Sequence, residues 1–182
     1  MEQENVGLYL GMDISEKYTM ISIYQQHMKE PQTISTIMGS ESYQIPTALA
    51  KKKGVGQWFF GREAKVRVKS GEALGVEDLL DKARVGEEVF LEHEKYAASD
   101  LLAIFLKRVL SLAGSAQAMM PLAKLVICLD KVSVEYMELF SAIMVKLGIE
   151  TDKLLLIDRR ESFYYYALSQ EPETFLHDVV MF

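Results

Sequence analysis

The chain has 182 residues, of which 49% are hydrophobic and 25% are charged, a composition typical of one soluble globular domain or one lobe of a larger protein. Its net charge of −6 argues against nucleic acid as a partner, because nucleic-acid binding needs a basic face. The single cysteine, Cys128, excludes an internal disulfide, and the presence of only three histidines argues against a Cys/His zinc site.

The first third of the chain has the composition of short strands. Residues 6–12 and 18–24 are predicted to form two strands, and residues 33–38 a third, because these segments are rich in β-branched and aromatic residues. The run of three lysines at 51–53 predicts a solvated turn, and "WFFG" predicts a short strand. The short links between these segments favour an antiparallel sheet.

Helical patterns begin at Gly61. "GREAKVRVKSG" and "VEDLLDKA" predict two short helices, and "EEVFLEHEKY" predicts an exposed edge strand because charges interrupt it throughout. Ser99 is predicted to cap the next helix. The buried stripe of this helix is predicted to consist of Leu101, Phe105, Val109 and Leu112.

Two apolar runs, "KLVICLD" and "KLLLID", predict buried strands. The helix between them is predicted to begin after Ser133 and to end at Gly148, so that strand, helix and strand form a parallel crossover. Its buried stripe is predicted to consist of Met137, Phe140, Met144 and Leu147. Cys128 is predicted to be a buried small hydrophobe.

A last helix is predicted from about Glu161 and carries "FYYY" at residues 163–166. Four large aromatic side chains cannot all face one way on a helix. Some are therefore expected to be exposed or to lie in an interface, for which tyrosine is well suited. A tyrosine-coated core helix is the alternative.

This order of elements predicts an α/β fold of the ribonuclease-H-like type. Antiparallel N-terminal strands are followed by a βαβ crossover with flanking helices, which together form one mixed sheet. We expect about residues 1–40 and 100–182 to form the core sheet and helices. About residues 41–99 are expected to form an inserted smaller subdomain.

"GMDISEKYT", "IPTALA", "GREAK" and "IDRRES" together resemble the first lobe of the actin and seventy-kilodalton heat-shock chaperone ATPases, over nearly the whole chain. The resemblance implies ATP or ADP with Mg²⁺ as the cofactor, and it implies catalytic roles for Asp13 and Lys65. It also implies that Asp13 and Asp158 hold the metal through water. The residues implied to contact the nucleotide are Asp13, Ile14, Ser15, Glu16, Lys17, Asp158 and Arg159.

The sequence departs from the family pattern at several of these positions. Ser15 replaces a glycine, Glu16 and Lys17 replace threonines that face the phosphates, and Arg159 replaces a glutamate that helps to hold the metal and water. A carboxylate about 4 Å from a phosphate charge repels it by roughly 1 kcal/mol in water and roughly 4 kcal/mol at an effective dielectric of about 20. The resemblance therefore implies a divergent member that binds nucleotide in the full-length protein with weak or absent hydrolysis.

Two other interpretations stay open. The first is an interaction or scaffold domain on the same fold that does not bind nucleotide. The second is a metal-dependent ribonuclease-H-like nuclease, because Asp13, Asp130 and Asp158 each end a strand and three converging carboxylates would form a two-metal site. The acidic net charge and the absence of a basic substrate groove argue against the nuclease.

The final expectations concern partners and location. The chain ends in the apolar run "HDVVMF", so we expect a fragment whose partner is a second lobe of the same protein. This fragment is expected to bind ATP very weakly by itself and to self-associate through its exposed lobe interface. The sequence shows neither a run apolar enough to cross a membrane nor the pattern of a secretory leader, so we expect a cytoplasmic protein without a membrane partner.

Overall fold

The computed structural model describes residues 7–37, 39–114 and 120–170. In chain order, the strands are β1 (Leu8–Ile14), β2 (Tyr18–Tyr24), β3 (Gln32–Thr33), β4 (Ile45–Pro46), β5 (Leu49–Lys52), β6 (Trp58–Phe60), β7 (Ala73–Val76), β8 (Glu88–Leu91), β9 (Glu94–Ala97), β10 (Leu122–Leu129) and β11 (Leu154–Asp158). The helices are α1 (Gly61–Lys69), α2 (Leu79–Arg84), α3 (Ala98–Leu110), α4 (Val134–Leu147) and α5 (Arg159–Ser169). Short 3-10 turns follow at Ser111–Ala113 and Thr151–Lys153.

The main sheet has the strand order β11-β10-β1-β2-β3, and β4 pairs with β2 beside this path. β1 pairs parallel with β10, and β10 pairs parallel with β11. β2 runs antiparallel to β1, β3 and β4. The predicted mixed α/β fold, with antiparallel N-terminal strands followed by a parallel β10–α4–β11 crossover, is therefore confirmed.

One face of this sheet carries the core. The even-numbered residues of β1 are buried and the odd-numbered residues are half-buried, which is the two-residue alternation of a strand. α3 contributes Leu101, Phe105 and Val109 to the same core, each fully buried. The predicted stripe of this helix is confirmed, and Leu112 extends it as a partly buried residue in the following 3-10 turn.

The ends of α4 confirm two predictions. Ser133 caps the helix, since its Oγ accepts a hydrogen bond from the Tyr136 amide at 3.4 Å. Gly148 ends it with φ +72°, a conformation that favours glycine. The predicted stripe was wrong at Met137, which is 46% exposed. The helix instead buries Leu139, Phe140, Ile143 and Met144.

Two other helix starts differ from the sequence prediction. The prediction that Ser99 caps a helix was wrong, because β9 leads directly into α3 and the capping position falls on Ala97. α5 begins at Arg159, two residues before the predicted start at Glu161. None of the helices in the described ranges is long and apolar enough to span a membrane.

Three strand predictions need correction. The predicted strand at 33–38 is the two-residue β3, since only Thr33 of that segment pairs with β2, and Met38 lies outside the described residues. "KLLLID" forms an edge strand whose Leu155 is 50% exposed, and so it is not buried on both faces. "EEVFLEHEKY" forms the hairpin β8–β9 and not one edge strand.

The lysine run at 51–53 is not a solvated turn, because its first two residues belong to β5. The Lys51 side chain is buried, and its Nζ lies 3.6 Å from Glu92 Oε2 and also pairs with Glu94. These two carboxylates come from the β8–β9 hairpin. Their charges allow a lysine to lie in a region that sequence composition assigns to solvent.

The segment between β4 and α3 forms its own small sheets. β5 lies between β6 and β7 in an antiparallel sheet, and α1 packs against all three strands. β7 was not predicted from the sequence. The β8–β9 hairpin is joined to this sheet through Lys51.

Candidate functional site

The carboxyl ends of three parallel strands meet at one edge of the main sheet. Asp13 near the end of β1 lies opposite Cys128 of β10, and Asp158 at the end of β11 lies opposite Leu129. Asp130 follows β10 directly. Open α/β sheets bind their ligands at this edge, so the pairing register brings the three strand-end aspartates into the position where a ligand is expected.

Arg159 joins two of these aspartates. Its Nη2 lies 2.7 Å from Asp13 Oδ1, and its Nη1 pairs with Asp130 Oδ1. The side chain extends from the first turn of α5, immediately after β11. The hydrogen bond to Asp13 raises the pKa of the Arg159 guanidinium, and burial partly opposes this shift. A cation therefore lies where the resemblance implies a metal.

Asp158 has a different partner. Its Oδ1 accepts a hydrogen bond from the Val132 amide at 2.5 Å, which ties the end of β11 to the loop between β10 and α4. In the described part of the chain, no hydrogen bond engages Oδ2 of Asp13 or of Asp158. Each carboxylate thus keeps one oxygen that a metal-bound water could contact.

The turn after β1 is closed by Ser15. Its amide and its Oγ both donate to the Tyr18 carbonyl at 3.0 Å, and the Tyr18 amide donates to Ser15 Oγ at 3.2 Å. The side chain of Ile14 is buried, and Lys17 is exposed. The Lys17 carbonyl accepts a hydrogen bond from the Thr47 amide at 3.1 Å. This turn is therefore a fixed hairpin that leads into β2.

Glu16 extends from this turn to α2. Its carboxylate accepts hydrogen bonds from the Leu80 amide at 3.3 Å and the Asp81 amide at 2.5 Å. Burial raises the pKa of Glu16, the two amide hydrogen bonds partly oppose that rise, and the charges of Asp78 and Asp81 add to it. No local pattern indicates this contact, because Leu80 and Asp81 lie 64 and 65 positions after Glu16 in the chain.

A cavity of about 290 Å³ opens at this edge, and Ile14, Ser15 and Glu16 form one of its walls. Asp13 lies on the opposite face of β1 from Ile14 and does not line the cavity. Four carboxylates, one lysine and one tyrosine provide most of its polar groups. They are Glu16, Asp78, Asp81, Asp130, Lys131 and Tyr136.

The charge of this cavity differs from that of a typical phosphate site. Its single lysine faces four carboxylates, and Arg84, which lies 5.8 Å from the Tyr136 ring centroid, is already paired with Asp81 at 2.5 Å. Phosphate without a counterion is repelled by such a lining. Within residues 7–37, 39–114 and 120–170, no group of three or more His, Cys, Asp or Glu side chains could hold a metal ion.

Lys65 is not brought to this cavity. Its Nζ lies 5.6 Å from the centroid of the Tyr18 ring. It lines a separate cavity of about 640 Å³ together with Tyr18, Tyr43 and Arg62. Asp13 and Arg159 are therefore in contact, Asp158 lies at the same sheet edge, and the proposed catalytic lysine faces another surface.

Sequence reasoning missed the acidic lining that α2 and the residue before it contribute to the cavity. Asp78 and Asp81 lie in "VEDLLDKA", which was interpreted only as a helix, and Lys131 and Tyr136 lie around the start of α4. The sequence "LDK" could have indicated that Lys131 lies at the ligand edge, because Lys131 follows the predicted end of a strand. The contribution of α2 had no such signal, because it depends on how α2 packs against α3 and α4.

Two further predictions about single residues are confirmed. Cys128 is buried, and burial raises the pKa of its thiol, as expected of a small hydrophobe in a strand. The aromatic residues of α5 are largely exposed, with exposed fractions from 48% at Phe163 to 60% at Tyr166. The apolar run "HDVVMF" at residues 177–182 lies outside the described residues.

Comparison with protein-family patterns places most of the chain in a family. Residues 30–182 match the pattern described as "Family of unknown function (DUF5716) C-terminal". The matched part includes Lys65, Asp158 and Arg159, and it begins after the turn that holds Asp13 and Glu16. No curated protein matches the chain.

Proposed function

This chain belongs to the DUF5716 C-terminal family, whose function is unknown, and we propose that it is a divergent nucleotide-binding lobe of the actin and seventy-kilodalton chaperone kind. ATP or ADP with Mg²⁺ binds at the carboxyl edge of the main sheet, and hydrolysis is weak or absent. The observation that carries this proposal is the placement of Asp13 and Asp158 at the carboxyl ends of β1 and β11, the two strands that flank β10. Arg159, the first residue of α5, pairs with Asp13 at the same edge.

The sheet order supports the finer fold assignment within this proposal. The strands β11, β10 and β1 run parallel, and the next strand, β2, runs antiparallel to β1. The order β11-β10-β1-β2-β3 supports a ribonuclease-H-like, actin-like ATPase lobe, which the order of elements along the chain also favours. It equally supports the carboxyl edge as the ligand edge.

The residues at this edge fit a nucleotide-bound Mg²⁺ through water more readily than by direct coordination. Asp13 and Asp158 each keep one oxygen without a described hydrogen bond, and Mg²⁺ in nucleotide sites usually retains several waters. Bound Mg²⁺ supplies the positive charge that lets a triphosphate approach carboxylates. Arg159 can contact a phosphate oxygen but cannot coordinate the metal.

Two features support weak or absent hydrolysis. Arg159 already neutralises Asp13 and Asp130, so nucleotide must compete with this ion pair. Lys65 lines a different cavity from Ser15 and Glu16, and no other lysine apart from Lys131 lines the carboxyl-edge cavity. Lys65 is therefore not placed to contact a phosphate that binds at this edge.

Titration with Mg²⁺·ATP, followed by amide NMR signals, tests the proposal. We expect saturable shifts at Ser15, Glu16 and Lys131, with a Kd of about 1 mM or weaker, which corresponds to about −4 kcal/mol. Phosphate release should stay at the rate of the solution without protein. The proposal of weak or absent hydrolysis would be contradicted if the protein hydrolysed ATP at ordinary chaperone rates and Asp13→Ala abolished this activity.

A matched pair of variants sharpens this test. Glu16→Thr removes a carboxylate from the cavity and restores the residue type of the resembled family, so we expect tighter Mg²⁺·ATP binding. Glu77→Thr is the control, since Glu77 precedes α2 but does not line the cavity. If millimolar Mg²⁺·ATP moves no amide signal in the wild type or in Glu16→Thr, nucleotide binding is excluded.

An interaction domain without nucleotide is the second candidate. The observation that favours it is the acidic lining, in which four carboxylates face one lysine. The exposed aromatic residues of α5 supply a surface for partners. The nuclease interpretation gains no support from the same edge, because Arg159 lies between Asp13 and Asp130 where metal ions would be required.

A further inference from the structure

An apolar groove lies away from the carboxyl edge, between α3 and the small β6-β5-β7 sheet. Its volume is about 320 Å³, and the sheet contributes Leu49, Trp58, Phe59 and Phe60 to it. Leu49 and Phe59 are buried, whereas Trp58 and Phe60 remain half-buried. The groove therefore presents aromatic surface that the fold itself does not cover.

The opposite wall is one line of side chains along α3 and its extension. Ile104, Lys107, Arg108 and Ser111 follow each other at spacings of three, one and three residues. Residues three and four apart are neighbours on a helix surface, so these side chains form a single stripe. Ile104 is 37% exposed and supplies the apolar part of this wall.

The charge of the groove is opposite to that of the chain. Lys107 and Arg108 line it, and none of its lining residues is acidic, although the chain as a whole carries −6. Among the described residues, neither cation lies within 4.0 Å of a carboxylate oxygen. Other cations of the surface, such as Lys146, have such partners.

The aromatic floor is held in place by neighbouring side chains. Trp58 contacts Tyr96 edge-to-face, with ring centroids 5.5 Å apart. The Arg108 guanidinium lies 5.0 Å from the centroid of the Phe60 ring. A rigid, preformed floor reduces the entropy that a ligand loses on binding.

We propose that this groove docks a short acidic peptide segment of a partner protein. A large apolar side chain of the segment lies between Trp58 and Ile104, and flanking carboxylates pair with Lys107 and Arg108. Burial of the apolar anchor provides most of the affinity, and the two cations select acidic neighbours. The groove shares no lining residue with the carboxyl-edge cavity, so this docking does not depend on nucleotide.

The single tryptophan of the chain offers a direct measurement. Trp58 is the only tryptophan and lines the groove, so its intrinsic fluorescence reports on occupancy. The probe is a tryptophan-free hexapeptide with a central Leu–Phe pair and two acidic residues on each side. We expect a saturable change in Trp58 emission that weakens as salt rises. The amide counterpart, with Asn for Asp and Gln for Glu, should bind about tenfold more weakly.

Charge reversal tests the two cations separately. Lys107→Glu and Arg108→Glu should each weaken binding of the acidic peptide about tenfold. Both residues are exposed, and circular dichroism verifies that the variants remain folded. Lys29→Glu is the matched control, because it makes the same charge change in the exposed loop between β2 and β3. It should bind like the wild type.

Four results would overturn the proposal. The first is the absence of any saturable change in Trp58 emission, and the second is equal affinity for the acidic and amide peptides. The third is that the charge-reversal variants bind the acidic peptide as tightly as Lys29→Glu does. The fourth is that octanoate saturates the Trp58 signal as tightly as the peptide does. The last result would identify a free apolar carboxylic acid as the ligand.

Discussion

At the scale of single residues, Glu16 caps the first turn of α2, although it lies in a distant turn of the chain. Its carboxylate accepts hydrogen bonds from two amides in the first turn of α2. Such amides have no partner inside the helix. We expect Glu16→Ala to lower the free energy of unfolding by about 1 kcal/mol. Glu16→Gln keeps a hydrogen-bond acceptor, so its free energy of unfolding, measured by urea denaturation, should fall by less. Equal losses in both variants would contradict the capping role.

The pH dependence of the same residue has a defined sign. Burial raises the pKa of Glu16 above its ordinary value of 4.5, so the folded chain holds this proton more tightly than the unfolded chain. Its contribution to stability is present below pH 4.5 and is lost as the pH rises through the folded pKa. The stability of the wild type relative to Glu16→Gln should therefore fall with rising pH in that window. A rise would contradict the direction of the shift.

Lys51 provides a second prediction at this scale. Its buried ammonium pairs with Glu92 and Glu94, and Glu94 itself is largely exposed. Lys51→Met leaves carboxylates that water can solvate, whereas the double variant Glu92→Gln/Glu94→Gln leaves a buried charge without an ion pair. We therefore expect the double variant to lower the melting temperature more than Lys51→Met. The reverse order would show that the pair is not buried in solution.

At the scale of elements, the end of α4 depends on one backbone conformation. Gly148 has φ +72°, and a Cβ placed there meets no atom within 4 Å, so alanine is disfavoured by the backbone alone. We expect Gly148→Ala to destabilise the chain by about 1 kcal/mol. Gly114→Ala is the matched control.

Gly114 has a helical backbone, φ −55° and ψ −39°, and equal space for a Cβ. Alanine there should stabilise the chain by about 0.5 kcal/mol, because it restricts the unfolded chain. Thermal unfolding of the two variants should therefore shift in opposite directions. Shifts of the same sign would show that packing, and not backbone conformation, decides both positions.

At the scale of the whole molecule, α5 lies on the sheet without burying any of its own residues. Its side chains from Phe163 to Tyr166 are 48% to 60% exposed, and Leu168 is 64% exposed. Exposed aromatic side chains, tyrosines above all, are well suited to an interface. We expect the chain to self-associate with rising concentration through this face, as measured by sedimentation velocity.

Two variants localise that association. Tyr165→Ser/Leu168→Ser should weaken it, and Val66→Ser should leave it unchanged, because Val66 is equally exposed, at 59%, but lies on α1. A wild-type chain that remains monomeric at its highest soluble concentration would contradict the proposal.

The features that depend on local pattern could be predicted from the amino-acid sequence. β2 was predicted with its bounds, and β6 was predicted with its first residue but one residue too long. The buried stripe of α3 and the stop at Gly148 were also predicted. Side-chain periodicity and backbone preference are properties of a few consecutive residues, so they are visible in the chain. The mixed α/β fold followed from the order of these elements.

The partners of the charged residues could not be predicted from the sequence, because they come from distant elements that folding brings together. Arg159 reaches Asp13 across 146 positions, Glu16 reaches Asp81 across 65, and Lys51 reaches Glu94 across 43. The acidity of the cavity and the cationic stripe of the groove likewise depend on elements that are distant in sequence. Charge interactions depend on separation in space and on burial, and neither quantity is encoded in local sequence.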